Sequence, residues 1–228
     1  MLTREALSTG AYLESFRNLP GHTCWTEQRI ESSLREVLAR RPQPDEPVWL
    51  FTYGSLMWNP LFHFEERRHA LLHGWHRSFC IRLIAGRGCG EHPGRMLALE
   101  AGGSTSGVAF KLREAELEQE LRLVWIREMV GGVYLPTWGS ITLEDKTTVD
   151  AISFMIDPTH ALYEGDASTA AVSAAIAKAN GPLGSNRDYL FQLDAALAAH
   201  GLRDAYIEDL ARSVRGLASP GLKDSIRE

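Results

Sequence analysis

A glutamate that continues the apolar face of a helix is the strongest candidate for chemistry in this sequence. A helix is predicted over residues 114–129. Four of its apolar residues recur at helical spacing: Leu117, Leu121, Val124 and Trp125. Glu128 lies eleven residues after the first of these, which at about 100° per residue returns its side chain to nearly the same direction. We therefore expect the Glu128 carboxylate to face the protein interior.

The position of Glu128 predicts a carboxyl group with a raised pKa. Burial disfavours the charged form of a carboxyl group, and the C-terminal end of a helix carries partial negative charge that repels an anion. A glutamate whose pKa is raised toward neutrality suits a general acid or base. The alternative is structural: Glu128 lies at a frayed helix end and pairs with a nearby arginine, since ion pairs also perturb pKa values.

The segment Tyr53-Gly54-Ser55-Leu56 follows a predicted buried strand and has the composition of a ligand-binding turn. A glycine lets the backbone turn sharply and lets a ligand approach the main chain closely. Successive N–H groups in such a turn can bind an anion or a developing oxyanion. The alternative is an ordinary turn after a strand, with a buried tyrosine.

Metal and nucleotide sites have weaker support. His69, His73 and His76 have the spacing of ligands on a helix, but the aromatic run that follows predicts a strand, on which position 76 points away from the other two. The stretch 86–90 resembles a fragment of a dinucleotide-binding loop without its full glycine spacing or a following amphipathic helix. We therefore expect neither a metal nor a bound cofactor.

The cysteines predict no disulfide framework. Cys24, Cys80 and Cys89 form no C-x-x-C pair, so neither a disulfide scaffold nor a zinc ribbon is indicated. Cys80 is expected to be a packed strand thiol, and Cys89 a loop thiol with no evident base beside it. A reducing, cytoplasmic location is the expectation.

Strands with helices at both ends must position these residues. The first 40 residues predict helices, with Thr26 as an N-cap, and the proline-rich stretch 41–47 cannot continue a helix. The predicted strands are Val48–Tyr53, Ala70–Trp75, Ser78–Leu83, Arg95–Glu100, Gly107–Leu112, Val133–Leu143 and Thr148–Met155. Further helices are predicted at Ser168–Ala179, Ser185–His200 and Asp204–Val214. This order favours an α+β fold with the sheet curled or closed into a small mixed barrel.

Composition excludes several classes of function. The 228 residues include 29 acidic and 24 basic side chains, and a net charge of -5 disfavours a nucleic-acid-binding protein. No apolar run approaches the roughly 18 residues that span a bilayer, and the N-terminus has no apolar signal-peptide segment. We expect a partner that is neither nucleic acid nor membrane, and the oligomeric state is left open.

Several long stretches resemble the ChaC-type γ-glutamylcyclotransferases, which act on glutathione. They are VWLFTYGSLMWNP (48–60), HGWHRSFCIRLIAGRGCGEHPGRMLALE (73–100), GVAFKL (107–112), LVWIREMVGGVYLPTW (123–138) and GPLGSNRDYLFQL (181–193). The similarity runs from about residue 48 to residue 214 and is nearest to the bacterial members. It implies the γ-glutamylcyclotransferase-like fold, a small mixed barrel with flanking helices. It also implies cyclisation of a γ-glutamyl group, which releases 5-oxoproline and cysteinylglycine.

The resemblance also implies roles for individual residues. The glutamate of the family's REM-type motif, its catalytic acid/base, falls on Glu128. The YGSL loop (53–56) forms the base of the substrate pocket in that family. Tyr134 and Tyr189 match tyrosines that line the pocket. No cofactor or metal is implied.

The chain is expected to divide into an N-terminal helical extension with a proline-rich linker (1–47), a catalytic domain (48–216) and a C-terminal tail (217–228). Two other functions stay open. The first is a cyclotransferase for other γ-glutamyl amino acids or amines. The second is a non-enzymatic regulator of cation transport, the role that the name of the family reflects.

Overall fold

A closed β-barrel forms the centre of the structure. The computed structural model describes residues 2–17 and 24–218. The barrel strands are β1 (Trp49–Thr52), β2 (Glu66–Leu83), β3 (Gly94–Lys111), β4 (Tyr134–Leu143) and β5 (Thr148–Ile156). They follow one another around the barrel in the order β1–β3–β2–β4–β5, and the parallel pairing of β1 with β5 closes the ring. The predicted α+β fold with a small barrel is therefore confirmed.

In the described part of the chain, three α-helices precede the barrel strands, one lies between β3 and β4, and three follow β5. They are α1 (Arg4–Ser8), α2 (Ala11–Arg17), α3 (Glu27–Leu38), α4 (Leu117–Glu128), α5 (Thr169–Lys178), α6 (Asn186–Ala199) and α7 (Ala205–Ala218). A small hairpin of β6 (Asn180–Gly181) and β7 (Gly184–Ser185) separates α5 from α6. Thr26 caps α3 as predicted, because its hydroxyl oxygen accepts a hydrogen bond from Arg29 N at 3.2 Å. Among the described residues, no helix is both long and apolar enough to cross a membrane.

Two strands are longer than the sequence pattern predicts. The predicted strands Ala70–Trp75 and Ser78–Leu83 form one continuous strand, β2, and Arg95–Glu100 and Gly107–Leu112 form one continuous strand, β3. The register of β2 against β3 shifts between residues 73 and 75. Gly74 lies at this shift with a φ of 82°. On β3, Gly102 and Gly103 lie opposite this shift with φ of 109° and 70°, inside the predicted gap between Glu100 and Gly107. A β-bulge bends a strand without ending it, so these two glycines look like a strand end in the sequence.

The barrel and the helices share a continuous apolar core. Among its fully buried members are Leu7 of α1, Ile30 of α3, Phe51 of β1, Phe110 of β3 and Trp125 of α4. Complete burial of an aliphatic or aromatic side chain of this size contributes about 1.5–3 kcal/mol. The indole N–H of Trp125 donates to Ser33 Oγ of α3 at 3.3 Å. Helix α4 is thereby held between the barrel and the N-terminal helices.

The N-terminal helices pack on this core although the proline-rich stretch separates them from the barrel in the sequence. Leu7, Leu13 and Phe16 are all buried members of the same cluster. The division into residues 1–47, 48–216 and 217–228 stays a prediction. Residues 219–228 of the predicted tail lie outside the described part of the chain.

The close approach of β1 to β3 predicts that a methyl group added at Gly107 destabilises the barrel. A Cβ at this position would stand 2.4 Å from Thr52 O and 2.8 Å from Phe51 Cζ. We expect Gly107→Ala to lower the free energy of unfolding by about 1–3 kcal/mol, the usual cost of overpacking. Urea denaturation measures this loss.

The matched control for this substitution is Gly139→Ala on β4. A Cβ at Gly139 meets its nearest atom, Leu72 Cδ1, at 3.9 Å, which is an ordinary contact. The control variant should therefore unfold close to the wild-type urea midpoint. Equal losses in the two variants would contradict the packing argument.

Candidate active site

Helix α4 ends on Glu128 and directs this side chain toward the interior. The residues predicted to form the buried face of the helix are all buried: Leu117, Leu121, Val124 and Trp125. Glu128 is the last residue of the helix. Its side chain is only 17% exposed. The carboxylate is therefore largely shielded from water. The exposed part leaves it accessible, and a group that contacts a substrate must be accessible.

Burial raises the pKa of the Glu128 carboxyl above its ordinary value, and the neighbouring Arg127 guanidinium opposes the rise. Arg127 Nε lies 3.2 Å from Glu128 Oε1. The glutamate does pair with an arginine at a helix end, as the structural interpretation of the sequence expects. The pairing nevertheless does not cancel the effect of burial, so the carboxyl can exchange a proton nearer to neutral pH than an exposed one.

Arg127 joins this glutamate to the turn after β1. Its side chain is 4% exposed. Arg127 Nη2 donates to Ser55 Oγ at 2.7 Å, and Nη1 donates to the carbonyl oxygen of Asn59. Sequence reasoning missed Arg127. A basic residue directly before a glutamate predicted to be buried is the signal that indicates it.

The turn after β1 is a short 3-10 helix, Ser55–Met57, and Gly54 is its N-cap residue. The carbonyl oxygen of Gly54 accepts a hydrogen bond from Met57 N at 2.9 Å. The first N–H groups of a helix have no partner within it and suit an anion. Leu56 is buried and anchors the turn. A Cβ on Gly54 would stand 3.1 Å from Tyr189 Oη, so the glycine lets this tyrosine approach closely.

Two tyrosines are fixed by hydrogen bonds to the barrel backbone. Tyr53 Oη donates to the carbonyl oxygen of Phe154 on β5 at 2.6 Å. Tyr134 Oη donates to the carbonyl oxygen of Leu97 on β3 at 2.9 Å. These bonds hold both rings in single orientations at one end of the barrel.

The negative charge of Glu128 acts on three tyrosines. Burial raises the pKa of Tyr53, Tyr134 and Tyr189, and the negative charge of Glu128 raises each of them further. All three therefore stay protonated and neutral at physiological pH. Arg127 connects Glu128 to the turn at residues 53–56, and Tyr189 lies beside Gly54 of that turn.

Comparison with known proteins places the chain in a family. A family model described as ChaC-like protein matches residues 48–217. A relative from Escherichia coli (strain K12), named glutathione-specific gamma-glutamylcyclotransferase, is 46% identical over 226 residues, which cover 99% of this chain and 97% of the relative. The chain belongs to the ChaC-like family. A relative from Danio rerio, named glutathione-specific gamma-glutamylcyclotransferase 1, is 33% identical over 152 residues, or 64% of this chain and 76% of the relative.

Solved structures show the same fold. A crystal structure of a γ-glutamyl cyclotransferase specific to glutathione from yeast matches with a TM-score of 0.69 and 20% sequence identity. The match covers 75% of this chain and 97% of the yeast chain. The predicted γ-glutamylcyclotransferase-like fold is therefore confirmed for this member of the ChaC-like family.

The N-terminal helices pack against α4, the helix that carries Glu128, although the ChaC-like family model begins at residue 48. Tyr12 of α2 is buried, and burial raises its pKa. The charges of Arg127 and Glu128 act on Tyr12 as well, with opposite signs. Sequence reasoning missed this residue, because a tyrosine on the apolar face of a short helix looks like any core residue.

Glu120 of α4 is also withdrawn from water, but its surroundings lower the pKa of its carboxyl group, whereas the surroundings of Glu128 raise it. Its side chain is 3% exposed, although the helix phase places it only beside the apolar face. Both of its oxygens accept hydrogen bonds from Arg4 at 2.6 Å, and Oε2 also accepts from His63 N at 2.8 Å. Burial raises the pKa of Glu120, but these donors outweigh it and hold the value below the ordinary one. Glu120 therefore anchors α1 to α4.

The histidines considered as metal ligands lie on a strand, as predicted. His69, His73 and His76 are all part of β2. The ligand atoms of His63, Glu116 and Glu120 do lie within 4.8 Å of one another. Arg4 already neutralises Glu120 with a bidentate ion pair, so this cluster is explained by ion pairing.

The cysteines occupy the positions that the sequence predicts. Cys80 is buried on β2 and Cys89 is exposed in the loop that follows. Burial raises the pKa of the Cys80 thiol to about 12. This thiol is therefore protonated at neutral pH and is a poor nucleophile.

The contrast between Glu120 and Glu128 predicts that the same substitution has different effects on stability. Glu120→Gln removes a paired charge, so we expect it to lower the free energy of unfolding by about 1–3 kcal/mol at neutral pH. A lowered pKa gives stability that is present above the unfolded-state pKa and is lost as pH falls through the folded-state pKa. The difference from wild type should therefore shrink in acid.

Glu128→Gln is the matched control on the same helix. A raised pKa gives stability that is present below the unfolded-state pKa and is lost as pH rises through the folded-state pKa. A neutral glutamine avoids this loss but leaves the buried Arg127 without its charge partner. The variant should therefore lose less stability at neutral pH than Glu120→Gln does. Urea denaturation at several pH values measures both variants. A larger loss of stability for Glu128→Gln than for Glu120→Gln would contradict the assignment of Glu120 as the carboxylate with the lowered pKa and Glu128 as the one with the raised pKa.

Proposed function

We propose that this protein cleaves glutathione by cyclising its γ-glutamyl group, with Glu128 as the general acid and base. The products are 5-oxoproline and cysteinylglycine. The observation that carries the proposal is the Glu128 carboxylate, which is mostly withdrawn from water, has a raised pKa and is joined to the turn after β1 through Arg127. Membership of the ChaC-like family and the substrate named for the Escherichia coli relative support the choice of glutathione.

The reaction is an intramolecular acyl transfer. The α-amine nitrogen of the γ-glutamyl group attacks its own γ-carbonyl carbon and closes a five-membered ring. The amide bond to cysteine then breaks, and its nitrogen leaves as the amine of cysteinylglycine. Because the nucleophile belongs to the substrate, the protein must chiefly hold a bent conformer, and good intramolecular geometry supplies about 7–11 kcal/mol.

One carboxylate can manage the protons of both steps. The α-nitrogen of the substrate loses two protons as it changes from an ammonium group to the ring N–H of 5-oxoproline. Glu128 accepts a proton from this nitrogen and donates it to the departing amide nitrogen as the C–N bond breaks. The other proton ends on the released amine of cysteinylglycine, which becomes an ammonium group. No net proton is gained or lost by the enzyme in this sequence. A raised pKa suits this exchange, because the same group must be a competent base and then a competent acid.

The turn at residues 53–56 supplies the second part of the site. Its backbone N–H groups would bind either the α-carboxylate of the substrate or the oxyanion that develops on the γ-carbonyl. Arg127 holds Ser55 and Glu128 at once, so the distance between this turn and the acid/base is kept constant. Tyr134 and Tyr189 would line the pocket as neutral walls.

A cytoplasmic location fits this substrate. The cytosol holds glutathione and keeps thiols reduced. The three cysteines are all unpaired. The proposed partner is therefore a small molecule in a reducing compartment.

Replacement of the acid/base predicts loss of turnover without loss of structure. We expect Glu128→Gln to abolish the release of 5-oxoproline from glutathione while the variant keeps the wild-type circular dichroism spectrum. Cys89→Ala is the control and should retain activity, since the proposed chemistry uses no protein thiol. Near-normal 5-oxoproline release by Glu128→Gln would rule out its role, and a folded but inactive Cys89→Ala would point to thiol catalysis.

The ion pair between Arg127 and Glu128 predicts how the pH dependence of kcat/KM changes when Arg127 is replaced. Glu128 must be ionised to accept a proton, so kcat/KM should fall as pH drops through its pKa. Arg127 opposes the rise of this pKa, so Arg127→Gln should move the acidic limb to higher pH as well as lower the rate.

Arg122→Gln is the control for the pH profile. Arg122 also lies on α4, but it pairs with Glu27 and Glu31. This variant should leave the acidic limb in place. An acidic limb that moves to lower pH in Arg127→Gln, or moves equally in both variants, would contradict the assignment of the limb to Glu128.

A further inference from the structure

A second buried arginine, Arg77 of β2, holds the same turn. Its side chain is 1% exposed. Arg77 Nε donates to the carbonyl oxygen of Tyr53 at 2.8 Å. Nη2 donates to the carbonyl oxygen of Ser106 on β3 at 2.6 Å and lies 3.9 Å from Met57 Sδ. One guanidinium thus contacts the residue before Gly54 and the last residue of the 3-10 helix.

The charge of Arg77 is balanced by Asp204, at the start of α7. Arg77 Nη1 donates to Asp204 Oδ2 at 2.9 Å. The other carboxylate oxygen, Oδ1, accepts a hydrogen bond from Ile207 N at 3.3 Å, and the carbonyl oxygen of Asp204 accepts from Glu208 N at 3.0 Å. Asp204 therefore has two roles: one oxygen caps α7 and the other pairs with the buried arginine.

We propose that Arg77 and Asp204 are a positioning pair for this reaction, which keeps the turn at residues 53–57 at the correct distance from Glu128. The inference rests on the proposed function. Two buried arginines hold the turn through hydrogen bonds: Arg127 of α4 binds Ser55, and Arg77 of β2 binds Tyr53. The Glu128 carboxylate pairs with Arg127, and the Asp204 carboxylate pairs with Arg77. The C-terminal helix α7 thereby helps to set the geometry of a site whose reacting groups lie on other elements.

Loss of the carboxylate charge would disturb the turn because a buried charge needs a partner. A cleft of about 570 Å³ borders the pair and is lined by Arg77, Asp204, Ser106, Arg203 and Tyr206, among others. Without Asp204, the guanidinium gains hydration by moving toward this cleft and away from the carbonyl oxygen of Tyr53. Misplacement of a reacting group by about 1 Å can cost about a hundredfold in rate.

Asp204→Asn tests the pair with little change to α7. Asparagine is as good an N-cap as aspartate, so the cap on Ile207 N is kept, while the negative charge facing Arg77 is removed. We expect kcat/KM for glutathione to fall about ten- to hundredfold, with an increase in KM as well as a decrease in kcat. A structural defect alone lowers the amount of active enzyme, which reduces apparent kcat and leaves KM unchanged.

Val214→Ala is the matched control for a weakened α7. Val214 is fully buried on this helix, so its truncation destabilises the helix without touching the pair. Its KM should stay at the wild-type value. An unchanged KM in Asp204→Asn, or an equal rise in Val214→Ala, would overturn the proposal.

A double-mutant cycle with Ser55→Ala tests whether Asp204 acts through the turn. Ser55→Ala removes the hydrogen bond from Arg127 and so loosens the turn from its other anchor. If both residues act on the position of the turn, the loss in kcat/KM of the double variant should differ from the product of the single losses. Losses that multiply would show independent action and overturn the proposal. Wild-type release of 5-oxoproline is the baseline, and its absence would refute the proposed function instead.

Discussion

The charged contacts that the two inward-facing glutamates of α4 receive decide whether each carboxylate has a lowered or a raised pKa. Arg4 meets Glu120 through two nitrogens at 2.6 Å, and the carboxylate is stabilised so strongly that its pKa falls. Arg127 meets Glu128 through one nitrogen at 3.2 Å, because its other nitrogens are engaged by the turn after β1. Burial then dominates and the pKa of Glu128 rises. The same guanidinium thus leaves the carboxylate able to take a proton and ties it to the turn.

The rest of the fold serves to keep these groups at constant distances. The turn extends from β1, whose pairing with β3 and β5 closes the barrel. Tyr53 and Tyr134 are hydrogen-bonded to the backbone of neighbouring strands, so their rings are fixed in place without adding charge. Two buried arginines, Arg77 and Arg127, bind the turn from β2 and α4. The proposed self-cyclising reaction requires a rigidly held turn and one proton carrier, and these contacts support both.

Much of the fold could be predicted from local sequence patterns. The apolar spacing along α4, the N-cap of α3 and the helices after residue 168 all agree with the structure. The two long strands were divided in the prediction. In β3 the division falls on Gly102 and Gly103, because a bulge and a break between strands have the same local signal. Within the candidate site, Glu128 and the turn could be predicted. Arg127 and Tyr12 could not, since an arginine or a tyrosine becomes part of a site only through what lies opposite it.

The sequence by itself determined which side chains face the interior, because helical and strand periodicity are properties of a few consecutive residues. It therefore indicated Glu128 and the turn beside it. Only the tertiary structure decided which buried glutamate can exchange protons. Glu120 obtains its partner from Arg4, 116 residues away in the chain, and Glu128 has no comparable pair of close donors among the described residues. Electrostatic energy depends on distance in space and on burial, and neither is encoded in local spacing.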